Sequence, residues 1–178
     1  MANRVLLTTL LLFFGIAVLF GQSAKGDFNL YVQAAPYPTF QFQDFGLIAI
    51  AGAEYFVSQK VSIGTSFFTS NNTLFKGDRG PTIRSYGVIP SAQYYFVNKP
   101  SWTFFGQLGY GFGFEDRTRG SVQNSALTVV EVGLGVAYHL SDIVYVRLLL
   151  PFLHAQNVTF DEKALTGVAP FLGFGFRM

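Results

Sequence analysis

Along residues 102–114 the bulky apolar side chains other than Phe105 keep to even positions. They are Trp102, Phe104, Leu108, Tyr110, Phe112 and Phe114, facing Thr103, Gln107, Gly109, Gly111 and Gly113 on the odd ones. The split returns in 126–140, where Val130, Val132, Leu134, Val136, Tyr138 and Leu140 alternate with Glu131, Gly133, Gly135, Ala137 and His139. It returns again at the end, with Leu172, Phe174 and Phe176 opposite Phe171, Gly173 and Gly175. A period of two marks a strand, whose successive side chains point to opposite faces. Turn-forming residues divide the chain after residue 24 into eight segments: 28–35, 46–56, 61–70, 82–96, 102–115, 126–140, 143–155 and 165–178. Their connections alternate in length, which suits an up-and-down order. Short turns fall at Ser58-Gln59, Asn98–Ser101 and Ser141-Asp142, and longer polar segments at 36–45, 71–81, 116–125 and 157–163.

The two faces decide the class. An eight-stranded barrel has a lumen that side chains alone fill, so the Gly, Ala, Gln and Glu face fits inward and the bulky apolar face must look outward. In water that arrangement is inside out. In a bilayer it is required, because a closed barrel satisfies its backbone internally and presents an apolar band to lipid. The predicted fold is therefore all-β: an eight-stranded antiparallel up-and-down transmembrane β-barrel.

Residues Val5–Phe20 form the longest apolar run and follow Arg4 and the amino terminus. They read as the helix of a secretory signal peptide, residues 1–23, with Gly21 and Ser23 suiting cleavage after Ser23, or after Ala24 as the alternative. A membrane anchor is the competing reading, but the run falls near the lower limit of about 17 residues for a spanning helix. Residues 24–178 then form a single barrel domain.

Composition supports this picture. Only 12% of the residues are charged, against about 25% in soluble domains, and the formal charge of 12 − 10 = +2 offers no basic surface for nucleic acid. Cysteine is absent, which excludes disulfides, Cys-ligated zinc and thiol catalysis. Tyr55, Tyr94, Phe96, Trp102 and Tyr138 fall on the outward face within a few residues of the short turns. That is the expected aromatic girdle, since such rings favour the headgroup level of a bilayer.

Parity also sends Glu54, Glu131 and Arg147 into the lumen, with Asn29, Gln33, Gln93, Gln107 and Tyr145. One reading is a catalytic carboxylate pair or a gated pore. The expected one is a structural ion-pair network, because an unpaired charge there would be costly. His139, inward beside a short turn, and His154, outward near the loop end, make no metal site between them, so no metal or cofactor is expected. Loop charges such as Lys76, Asp78, Arg79, Arg84, Glu115, Asp116, Arg117 and Arg119 read as solvation, with a surface for an unknown loop ligand as the alternative.

The stretch Glu54–Gly64 is similar to a strand, tight periplasmic turn and strand of the small eight-stranded outer-membrane barrels of Gram-negative bacteria, the OmpX and OmpA transmembrane-domain type. The terminal Gly173, Phe174, Phe176 and Met178 resemble the assembly signal that ends such barrels, departing from it in Met178 where Phe is usual. The resemblance implies an outer-membrane location with both termini periplasmic, a lipid surround, and the barrel-assembly machinery as a partner during biogenesis. The peptidoglycan-binding domain that OmpA-type proteins append is not expected. The functional expectation is a barrel without catalytic activity, acting structurally or through its long loops. An outer-membrane lipid-modifying enzyme is the alternative, though His154 is not followed by the Ser of the deacylase pattern. A secreted soluble barrel binding an apolar ligand is the third possibility, and needs the opposite parity.

Overall fold

The computed structural model describes residues 25–39, 44–75, 82–118, 122–158 and 162–178; the expected signal peptide, Lys76, Asp78, Arg79 and Arg119 lie outside them. Alternation of bulky and small residues gives nine strands: β1 (Phe28–Thr39), β2 (Asp44–Ser58), β3 (Val61–Phe75), β4 (Thr82–Asn98), β5 (Trp102–Thr118), β6 (Val122–His139), β7 (Val144–Asn157), β8 (Glu162–Val168) and β9 (Phe171–Arg177). Each of β1 to β7 pairs antiparallel with the next, and β9 pairs with both β7 and β1, which closes the ring. Strands β8 and β9 both pair with β7 and are two halves of one barrel strand, so the wall is eight strands around.

Two differences from the sequence expectation are informative. The strands run further toward the loop end than their segments: β1 reaches Thr39 and β5 reaches Thr118. Polar residues there have the composition of loops, but the alternation of inward and outward positions continues through them. The expected single segment 165–178 is instead interrupted at Ala169-Pro170, because proline has no N–H to give to a ladder.

Short turns are closed locally. The Ser58 hydroxyl accepts the backbone N–H groups of Lys60 and Val61 at 3.3 and 3.1 Å, and Ser141 does the same for Ile143 and Val144 at 3.3 and 3.0 Å. Side-chain oxygens that take up turn amides in this way explain why serine marks both sites.

Candidate functional site

Every described face obeys the predicted parity. Val32, Phe67, Leu108, Tyr110, Phe112, Leu134 and Phe174 are exposed on the outside, while Tyr31, Gln33, Glu54, Gln107, Glu131 and Arg147 are buried inside. The glycine face is inward for a steric reason: a Cβ on Gly135 would stand within the Phe105 ring, and one on Gly175 within the Tyr145 ring. Those glycines therefore hold aromatic rings rather than water.

The lumen has three tiers. At the short-turn end, Glu54 accepts hydrogen bonds from Asn29 Nδ2 at 2.8 Å, from the Tyr95 hydroxyl at 3.0 Å and from Ser62 Oγ at 3.4 Å. Arg147 Nη1 faces its other side at 3.7 Å. A second nitrogen of Arg147 donates to Gln107 Oε1 at 2.7 Å, and the guanidinium lies 4.3 Å from the Tyr31 ring centre and 4.4 Å from that of Phe105. Carboxylate on one side and ring faces on the others suit a buried planar cation. Glu131 stands beside Gln107 and Arg147, yet neither of its oxygens meets hydrogen-bond geometry, so the expected charged trio is a direct pair with Glu131 as its neighbour.

Above this polar tier is an apolar chamber. Ile48, Phe68, Ile89, Leu127, Val129, Leu153 and Ala155 enclose most of it, with Ser70 and Ser85 its polar members, and the void left among them is about 10 Å³, room for about one water.

A second polar tier covers the chamber at the loop end. Glu115, buried, accepts from Arg117 Nε at 2.5 Å and from Asn157 Nδ2 at 3.2 Å, and Asn157 also reaches Ser125 Oγ. Asn72 Oδ1 accepts the Ile83 N–H at 2.9 Å. The sequence reading had assigned Glu115 and Arg117 to loop solvation. Their place is corrected by the extension of β5 and β6: Glu115 has the inward parity of Gln107, and continuing the alternation past Phe114 is the signal that finds it.

The girdle residues are grouped beside the short turns. Tyr94 and Phe96 meet edge to face with ring centres 5.3 Å apart, Phe96 and Phe104 lie at 6.0 Å, and Lys99 Nζ sits 5.5 Å above Trp102. Tyr55, Tyr94 and Tyr138 are exposed. At the other end Tyr86 and Phe114 pair on the outside at 5.9 Å. His139 packs on Tyr145 with centres 5.6 Å apart, and His154 Nδ1 lies 2.9 Å from Thr166 Oγ1 on the outer wall. No group of three or more His, Cys, Asp or Glu side chains poised for a metal occurs among the described residues.

The filled lumen makes a prediction. Water-filled channels come with about 16 strands, whereas eight leave space that side chains occupy. Purified protein in planar bilayers is expected to show no steady conductance at the level of a solute-passing pore, and such a conductance would overturn the three-tier picture.

Solved structures share this architecture. The chain is similar to Neisserial surface protein A, with 16% identity and a TM-score of 0.66 over 88% of this chain and 99% of that one. It is similar to the N-terminal β-barrel domain of Pseudomonas aeruginosa OprF, at 12% identity and TM-score 0.60 over 88% and 100%. It also resembles Ail, the attachment invasion locus protein of Yersinia pestis, solved in complex with the heparin analogue sucrose octasulfate, at 12% identity and TM-score 0.53 over 86% and 97%. No family model matches the chain, and no curated protein sequence does. The fold is that of the small eight-stranded outer-membrane barrels.

Proposed function

We propose that this chain is an integral outer-membrane protein without catalytic activity, a rigid barrel whose role is structural or is carried by the segments at its loop end. The observation behind this reading is the reversal of inside and outside. Phe67, Tyr110, Phe112 and Leu172 are each 60% or more exposed, while Arg147, Glu54 and Glu131 are at most 2% exposed. A soluble barrel carrying an apolar ligand needs the opposite distribution. In lipid the apolar wall is solvated, and the lumen charges are kept from it by the wall itself.

The girdle beside the short turns and the rings beside the loops fit the two interfaces of a bilayer, with the chain ends on the periplasmic side. The terminal Gly173, Phe174, Phe176 and Met178 serve the barrel-assembly machinery in this reading. The loop end is the surface available to a ligand. Ail's complex with a heparin analogue supports that role for a barrel of this shape.

A sodium carbonate wash of membranes at high pH, followed by detergent extraction, tests the placement. The protein is expected to stay in the pellet through the wash and to enter solution only with detergent. Release by carbonate alone would sink the reading. The proximity of His154 to Thr166 on the outer wall gives the lipid-modifying alternative its one footing. Mass spectra of lipid A from cells with and without the protein are expected to be the same, and a shift by an acyl chain would favour that alternative.

A further inference from the structure

Sulfur occurs at one place among the described residues. The sequence holds no cysteine and two methionines, Met1 and Met178, and of these only Met178 is described. Its backbone takes part in closing the ring. The Phe28 N–H donates to the Met178 carbonyl at 3.0 Å, and the Met178 N–H donates to the Phe28 carbonyl at 2.8 Å. Phe28 is in turn the register partner of Tyr55. Met178, Phe28 and Tyr55 therefore form one row across the closure, at the level of the girdle, where a bilayer gives way to water.

Alternation carries the Met178 side chain outward. Leu172, Phe174 and Phe176 are exposed on the outer face of β9, and Met178 follows at the next alternate position, 65% exposed. A thioether at that place is open to small oxidants, and among the described residues no thiol competes for them. The chemistry is a two-electron oxidation. The sulfur lone pair takes one oxygen of hydrogen peroxide, the O–O bond breaks, and the second oxygen leaves as water. The sulfoxide is polar where the thioether was apolar, and a dithiol reductase reverses the step, releasing water and a disulfide.

The same change has different consequences before and after closure. In the finished barrel the sulfoxide stands at girdle level beside water, and neither hydrogen bond of the Phe28 and Met178 pair uses the side chain. The folded state is little disturbed. In a chain awaiting assembly, Phe174, Phe176 and Met178 are the apolar groups offered for recognition, and oxidation makes one of the three polar.

We propose that Met178 is a reversible oxidation site that sets the rate of barrel assembly. Its thioether form is accepted by the assembly machinery, its sulfoxide form is delayed, and a barrel already closed is indifferent to the change. The inference rests on the assembly role proposed above for Gly173, Phe174, Phe176 and Met178.

The full chain, unfolded in urea, is treated with hydrogen peroxide, and tandem mass spectrometry locates the added oxygen on Met178. It is then offered to vesicles containing the assembly machinery, and folded protein is read from heat-dependent mobility on a gel. The oxidised chain is expected to assemble about tenfold more slowly, the scale of withdrawing a methionine side chain from the rate-limiting contact. Methionine sulfoxide reductases for both epimers should restore the parental rate. Met178→Leu should assemble equally fast with and without peroxide, and Met178→Gln should be slow without it. An oxidised parent that assembles at the parental rate would overturn the switch. So would peroxide slowing Met178→Leu as much as the parent, which moves the effect to another residue. Equal slowing in vesicles of lipid alone would assign the effect to closure instead of recognition and overturn it as well, as would loss of the folded form when the finished barrel is oxidised. The assembly role fails separately: Phe174→Ala/Phe176→Ala assembling at the parental rate in the same vesicles removes it. A slow Phe174→Ala/Phe176→Ala beside a fast oxidised parent leaves that role standing and removes only the switch at Met178.

Discussion

A chain lacking residues 174–178 is expected to yield no folded barrel. Among the described residues β9 alone is laddered to both β1 and β7, and no ladder joins β8 to β1. The deletion leaves only Gln33↔Gly173 and Ala34↔Leu172 of the β1–β9 register and removes the paired Phe28 and Met178. Two open edges would then face lipid with their backbone groups unpaired, which a bilayer does not tolerate. Because no ladder joins β1 to β8 above Ala34↔Leu172 among the described residues, this closure is more critical here than in a barrel paired along its full height. Heat-dependent mobility on a gel reads the outcome, and a truncated chain that migrates like the parent before boiling would contradict it. The assembly-signal role separates from closure in Phe174→Ala/Phe176→Ala, which keeps every backbone bond. That variant is expected to refold from urea into detergent yet be depleted from the membrane of cells. Parental levels in cells would leave closure intact and remove the signal.

Parity carried most of what was legible in the chain. Alternation in 102–114 and 126–140 places Gln107, Glu131 and the glycines inside without knowledge of any partner strand, because inward and outward are local properties of a strand. Height along the barrel axis is not local. Arg147 on β7 reaches Glu54 on β2 only through strand tilt and stagger around the ring, which no single segment contains. So the separation of the lumen into a polar tier, an apolar chamber and a second polar tier was beyond reach, although each member's inward direction was not. Glu115 and Asn157 were obscured for a further reason: charged and amide residues near a turn have the composition of a loop even when the strand continues. Pro36 and Pro38 misled in the same way. Proline signals a turn in most contexts, but on β1 both fall on the side that faces an unladdered seam, where a missing N–H is tolerated.

Arg147→Met is expected to destabilise the barrel by about 3–5 kcal/mol, the range for breaking a buried ion pair from one side. Glu54 would keep its bonds from Asn29, Ser62 and Tyr95 but lose the cation at 3.7 Å, while Gln107 Oε1 would lose its donor. Methionine replaces much of the stem's packing between Tyr31 and Phe105, so the loss reports charge more than volume. Making all the charged positions apolar is not the mild counterpart, because Glu54→Leu would strand the three donors that now serve it. The counterpart is Glu54→Gln with Arg147→Met, which removes both charges and keeps an acceptor for Asn29. Double neutralisation of this kind often costs little where single removal costs much. Urea unfolding of protein refolded into lipid vesicles, followed by the fluorescence of Trp102, the chain's one tryptophan, compares the two. The double variant is expected to recover most of the stability lost in the single one. If both fall equally, Arg147 holds the lumen by its bulk and its bond to Gln107, and the pairing with Glu54 contributes little.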